Sequence, residues 1–153
     1  MSSNKDGLKL TAGDFYKQLG RGLVLALRKV DEVGFDVVLR GGEMALEIGS
    51  ITLTVFGGRT NSVNIDNLKY KFVEDPEDIL AGTEVQGQVG NLQLGLHALH
   101  RQNREKITAS DLADASNSIG GYTSTTFLEG DMSIYVEGAF QETRLADKIS
   151  QGH

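Results

Sequence analysis

The sequence predicts an α+β fold. A long N-terminal amphipathic helix packs on an antiparallel β-meander of about five strands, and a helical segment and a C-terminal β-hairpin follow. Three observations carry this. Apolar residues recur at helical spacing from Phe15 to Val33. Turn pairs containing glycine divide residues 35–73 into short alternating runs. A leucine stripe between Val85 and Leu99 steps by four and three.

The first helix begins at "TAGD", Thr11 to Asp14, where a hydroxyl meets exposed amides and an acid sits in the first turn. Phe15, Leu19, Leu23, Ala26, Leu27, Val30 and Val33 form its apolar stripe, and Gly34 suits the position after its last turn. Gly20 and Gly22 oppose it by about 1 kcal/mol each. In the meander, Gly41-Gly42 joins "FDVVLR" to "EMALEI", and Gly49-Ser50 joins "EMALEI" to "ITLTVF". These turns set Leu39 against Met44 and Ile48 against Ile51, which gathers the apolar residues from Phe35 to Val55 on one face. Asp36, Arg40, Glu43, Glu47, Thr52 and Thr54 take the other face. Asp66-Asn67 then turns "SVNI" into "LKYKFV", pairing Ile65 with Leu68 and Val63 with Tyr70. The apolar face needs a cover, and the first helix has the stripe to supply it. The order of helix then meander resembles a cystatin-like wrap in topology, a likeness that implies no function.

Asp75, Pro76, Glu77 and Asp78 read as the cap and first turn of a short helix ending at Gly82. From Glu84 to Asn91 two readings compete. The spacing of Val85, Val89, Leu92, Leu96 and Leu99 favours a helix, and Gly90-Asn91 within an alternating run is a hairpin signature. The helix is slightly preferred there and preferred outright from Leu92 to Lys106, although Gly87, Gly90 and Gly95 cost it roughly 3 kcal/mol. A further helix is expected from Thr108 or Ser110 to Gly120-Gly121. A last hairpin turns about Gly130-Asp131, with Phe127 near Ile134 and Thr125 near Val136, and a short amphipathic tail follows. The expectation is one domain, 1–153: an arm over 1–10, helix and meander over 11–73, a mainly helical segment over 74–121, and hairpin and tail over 122–153.

Composition narrows the function. Without cysteine there is no disulfide framework, thiolate zinc site or cysteine nucleophile. A formal charge of -6 and no clustered basic face argue against nucleic acid. The start "MSSNKDGLKL" is too polar for a secretory signal, and "LVLAL" is too short to span a bilayer. The expected setting is therefore the cytoplasm, or a particle assembled there.

No catalytic or cofactor-binding residues are assigned, and no cofactor is expected. "GGRTNS" and "SIGGYTSTT" lack the phosphate-loop pattern, and no nucleophile elbow is present. "EDPED" lacks the ligand spacing of a calcium loop. His97 and His100, one helical turn apart, are the metal candidates. Zinc needs a third and usually a fourth ligand, which the helix does not offer, so they read as border residues of the stripe. The expected function is that of a non-enzymatic structural subunit, associating with itself or with other subunits of an assembly such as a virion. One alternative is a small ligand-binding or hydrolytic cup on the concave sheet face, with Tyr70, Tyr135, His97 and His100 as its polar groups. A protein-binding regulatory adaptor is the other.

Overall fold

The computed structural model describes residues 2–5, 7–30, 35–61, 63–66, 71–74, 77–103, 113–127 and 132–145. Every regular element among them is a strand, and none is a helix, so the α+β expectation is corrected to an all-β fold. In chain order the strands are β1 (Ser2–Lys5), β2 (Leu8–Phe15), β3 (Lys17–Leu19), β4 (Leu25–Leu27), β5 (Lys29–Val30), β6 (Phe35–Asp36) and β7 (Leu39–Ile48). There follow β8 (Ile51–Thr60), β9 (Val63–Asp66), β10 (Lys71–Glu74), β11 (Asp78–Val89), β12 (Leu92–Asn103), β13 (Ala113–Phe127) and β14 (Met132–Leu145). One eight-stranded sheet runs β1-β2-β7-β8-β11-β12-β13-β14, antiparallel throughout. Two insertions leave this meander. Residues 16–38 carry the small pairs β3-β4 and β5-β6, and residues 61–77 carry the pair β9-β10.

The stretch with two readings is a hairpin. β11 and β12 pair from Val89 with Leu92 out to Asp78 with Asn103. Gly90 holds φ at 58°, a left-handed conformation that costs most residues strain and glycine none. That glycine opposes a helix and completes a two-residue turn. The helical stripe therefore splits: Val85, Val89, Leu92 and Leu96 share one sheet face, while Leu99 lies on the other.

The expected first helix is replaced by strands for the same kind of reason. Thr11 and Asp14 lie in β2, opposite Glu43 and Arg40 of β7. Leu19 pairs with Leu25 in the β3-β4 hairpin, whose connection contains Gly20 at φ 55° and Gly22 at φ 99°. Both angles lie outside the helical region, so the chain doubles back within a few residues.

In the meander, the Gly49-Ser50 turn holds, with Ile48 opposite Ile51, Leu46 opposite Leu53 and Met44 opposite Val55. Gly41-Gly42 is no turn but the interior of β7, and Leu39 meets Thr60 instead of Met44. A side chain at Gly41 would run into the Gly57 carbonyl, and one at Gly58 into the Arg40 carbonyl, so these glycines permit close backbone approach. β9 pairs Ile65 with Phe72, not Leu68; Asn67, Leu68 and Tyr70 lie outside the described residues. The helix expected at Ile79 to Gly82 is part of β11, while Asp75 and Pro76 lie outside the described residues. The helix expected to end at Gly120-Gly121 is corrected to β13, which passes through both; its proposed caps, Thr108 and Ser110, also lie outside. The final hairpin is present but two residues tighter than expected: Phe127 meets Met132 and Thr125 meets Ile134.

Cross-strand partners share a face, so the registers divide the sheet into two faces. The inner face carries Leu39, Phe56, Leu80 and Leu99, which cluster with Leu19, Leu25 and Leu27 of the β3-β4 hairpin. Phe15, Val24 and Val37 border this core. Lys17 fastens the hairpin to the sheet, with its ammonium 2.7 Å from Glu43 and 5.1 Å from the centre of the Phe56 ring. The insertion thus covers the inner face, and the apolar face that was expected to lie under a helix is left open.

Two results are expected. Far-UV circular dichroism should show a single β-type minimum without the helical double minimum. Gly90→Val should cost about 1–2 kcal/mol, because a β-branched residue is forced into the left-handed region. At about 2–4 °C for each kcal/mol, the fall should be plain in a thermal melt.

Candidate functional site

Two features of the sheet could carry function: a buried polar cluster on the inner face and the open outer face.

The cluster follows from the register. Glu84 of β11 stands opposite His97 of β12, His97 opposite Gly120 of β13, Gly95 opposite Tyr122, and Tyr122 opposite Glu137 of β14. The two rings exchange space across β12 and β13. His97 occupies the volume a side chain at Gly120 would need, and Tyr122 does the same at Gly95. Tyr122 also stacks on Tyr135 at 5.5 Å between ring centres and lies 6.5 Å from His97. The turn of the β3-β4 hairpin closes the cluster from above. The Arg21 amide donates to the Tyr135 hydroxyl at 3.1 Å and to Glu137 Oε2 at 3.0 Å, and the Arg21 guanidinium sits 4.2 Å over the Tyr135 ring. Tyr135 donates its own proton to Glu137 Oε2 at 2.9 Å. Burial and the hydrogen bond to Glu137, with that residue's charge, push the Tyr135 phenol up to about 12. Burial, then the charges of Glu84 and Glu137, raise Tyr122 as well.

Glu84 and His97 are each only 3% exposed, and neither ring nitrogen of His97 nor Oε1 of Glu84 has a hydrogen-bond partner among the described residues. A carboxylate, an imidazole and two phenols are acid–base groups. Here the rings lie over glycines and the hairpin turn sits on top, so the arrangement packs the sheet.

The metal candidates fall on opposite faces, because residues three apart on a strand point oppositely. His97 is buried inside, and His100 lies outside with Nδ1 2.7 Å from Asn117 Oδ1. The two cannot share one ion, and no group of three or more His, Asp or Glu among the described residues could hold a metal. The structure brings His97 and Tyr135 into one chain of rings and leaves His100 apart; Tyr70 lies outside the described residues. Sequence reasoning missed Glu84, Tyr122, Glu137 and Arg21. The signal for Glu84 was present, since a turn at Gly90-Asn91 sets Glu84 directly against His97.

The outer face is the larger feature. From β2 to β14, four successive cross-strand rows are built from apolar residues, glycine and threonine, with no charged side chain. One row runs Leu10-Met44-Val55-Thr83-Ala98-Ile119-Phe140, and the next runs Leu8-Leu46-Leu53-Val85-Leu96-Gly121-Gly138. Among the described residues charge lies at two margins, the β1 edge, where Lys5 stands opposite Leu8, and the margin away from the Gly49 and Gly90 turns. There Arg40 pairs with Asp14 at 2.7 Å, beside Arg59, His100 and Glu142. The Arg40 guanidinium holds the Asp14 carboxyl below the usual carboxylate range. Leu96 is 69% exposed, Ile119 65% and Phe140 74%. A shallow cavity of about 670 Å³ opens on the same face, where Leu10, Met44 and Val55 border the small residues Ala12, Gly42 and Gly57. Soluble antiparallel sheets usually put a polar face toward water, and apolar patches of this extent mark interaction surfaces.

No family model, no curated protein and no solved structure matches the chain. No helix among the described residues is long and apolar enough to cross a membrane, a statement that concerns helices alone.

Two predictions follow from the inner cluster. Gly120→Ala and Gly95→Ala should each cost about 1–3 kcal/mol by forcing His97 or Tyr122 off its rotamer, read as a lower urea midpoint. In a spectrophotometric phenol titration, Tyr135 should ionise near pH 12, and Tyr135→Phe should remove that step. The folded state holds this proton more tightly than the unfolded chain, whose phenol ionises at about 10. The associated stability is therefore complete below pH 10 and lost as pH rises toward 12.

Proposed function

We propose that the chain is a non-enzymatic structural subunit whose work is association, either with itself or with other members of a larger assembly. One observation carries the reading: an outer sheet face that from β2 to β14 is four rows deep in apolar side chains, with charge only at its margins. Exposing that surface to water is unfavourable by roughly 25 cal/mol for each Å² of apolar area. Covering it in a complex releases that free energy. A particle assembled in the cytoplasm, a virion among them, is a setting that suits such a subunit.

The ligand-cup alternative was placed on the face under the expected helix, which is the open outer face with its shallow cavity, but two of its polar groups, His97 and Tyr135, lie on the opposite face. A regulatory adaptor would use the same outer face for an unlike partner.

Light scattering behind a sizing column tests the reading. The untagged protein should run as a discrete multimer whose mass holds at high salt, since apolar association is not screened as ion pairs are. A clean monomer at high protein concentration would overturn it.

A further inference from the structure

We infer that the occupant of the outer face is a second copy of this chain, laid sheet on sheet so that the same patch serves both partners. This rests on the assembly reading above and adds the identity and geometry of the partner.

Area is the first argument. With strands about 4.8 Å apart and rows about 6.8 Å apart, two rows of seven strands, one of six and one of four make a planar patch of about 500 Å², before side-chain relief is counted. Each partner in a stable complex of standard size gives up about 800 Å² of accessible surface. The patch is thus the size of one such interface, and two copies suffice to cover it. Packed sheets also stand about 10 Å apart, the thickness that interdigitated side chains fill.

Composition is the second argument. The patch is uncharged at its centre and charged at its margins, with Asp14, Arg40, Arg59 and Glu142 on one and Lys5 of β1 on another. That is the apolar core and polar rim of an interface between folded chains. Relief also suits self-association. Leu96 and Phe140 protrude at 69% and 74% exposure, and Gly138 in the same region has open space around it. One face thereby carries both knobs and a hollow.

The sheet edges argue against lipid as the occupant. Among the described strands β14 pairs with β13 alone, and its other edge over Met132–Leu145 has no described partner strand. Water or another chain can satisfy the backbone groups of such an edge, and a hydrocarbon interior cannot.

The absence of cysteine makes the test direct. Single variants Val85→Cys, Leu96→Cys and Val136→Cys place a thiol on the outer face, while Lys9→Cys and Gln141→Cys place one on exposed inner positions. The full chain is oxidised in air with copper phenanthroline, which joins apposed thiols as disulfides, and a separate reduced sample is treated with a maleimide dye. Outer-face thiols should be joined into covalent dimers and shielded from dye; the inner ones should label freely and stay unlinked. Leu96→Asp should halve the mass seen by light scattering while circular dichroism stays unchanged. A multimer whose outer thiols label freely and remain unlinked would overturn the sheet-on-sheet dimer and leave the assembly reading standing. A monomer with dye-accessible outer thiols would overturn both. A monomer whose outer thiols become shielded only when phosphatidylcholine vesicles are added would also overturn both, and would make lipid the occupant.

Discussion

The register fixed at two short turns governs the rest of the structure. Gly49-Ser50 sets Ile48 against Ile51, and Gly90-Asn91 sets Val89 against Leu92. The pairing of Val85 with Leu53 then locks the two hairpins into one sheet. Side chains alternate strictly along a strand, so these turns decide the face of every residue from β7 to β12. A one-residue slip in β11 and β12 would bring Glu84 and His97 out and send Val85 and Leu96 in. The observed register puts two unpartnered polar groups into the interior and a large apolar surface into water. Neither choice favours an isolated chain, and only the second can be relieved by association.

The two faces are unequal in how they are covered. The β3-β4 hairpin delivers Leu19, Leu25 and Leu27 over β7, β8, β11 and β12, while the half of the inner face toward β14 is closed by His97, Tyr122 and Tyr135 and by the Arg21 turn. Among the described residues the apolar core gathers Leu19, Leu25, Leu27, Leu39, Phe56, Leu80 and Leu99. A fully buried leucine, isoleucine or phenylalanine contributes about 1.5–3 kcal/mol relative to an exposed one. Leu96, Ile119 and Phe140 are mostly exposed and withhold most of that contribution. Covering the outer face by association would add this stability to the fold, which couples folding to assembly.

Much of the sheet was legible in the sequence where turn chemistry is local. The Gly49-Ser50 hairpin and its three apolar pairs followed from two residues and strict alternation, and the C-terminal hairpin followed from its glycine and threonine content. The expected apolar face from Phe35 to Val55 held for Met44, Leu46, Ile48, Ile51, Leu53 and Val55 but not for Leu39, which lies in the inner core, and its expected helical cover was wrong. What failed was the choice of period. In 15–33 the spacing of Leu19, Leu23 and Leu27 fits a helix, and the evidence against it lay in Gly20 and Gly22, whose left-handed angles show only in the structure. In 84–99 a stripe in steps of four and three held four residues that also share a strand face, and Leu99 alone separates the two periods. Gly41-Gly42 and Gly120-Gly121 were read as stops because paired glycines usually mark turns. Here the first admits a neighbouring backbone and the second sits beneath His97 and Leu96. The inner cluster was hidden because Tyr122, Tyr135 and Glu137 come from far along the chain, and only long-range pairing brings them to Arg21.

The central claim is that the apolar outer face is covered by association and that the fold draws stability from it. The most direct measurement is the melting temperature of the untagged chain across a wide dilution series, since a folded state stabilised by association melts higher when more concentrated. The account predicts a melting temperature that rises steadily with protein concentration. A melting temperature that does not change with dilution, in a chain that remains monomeric, would contradict it.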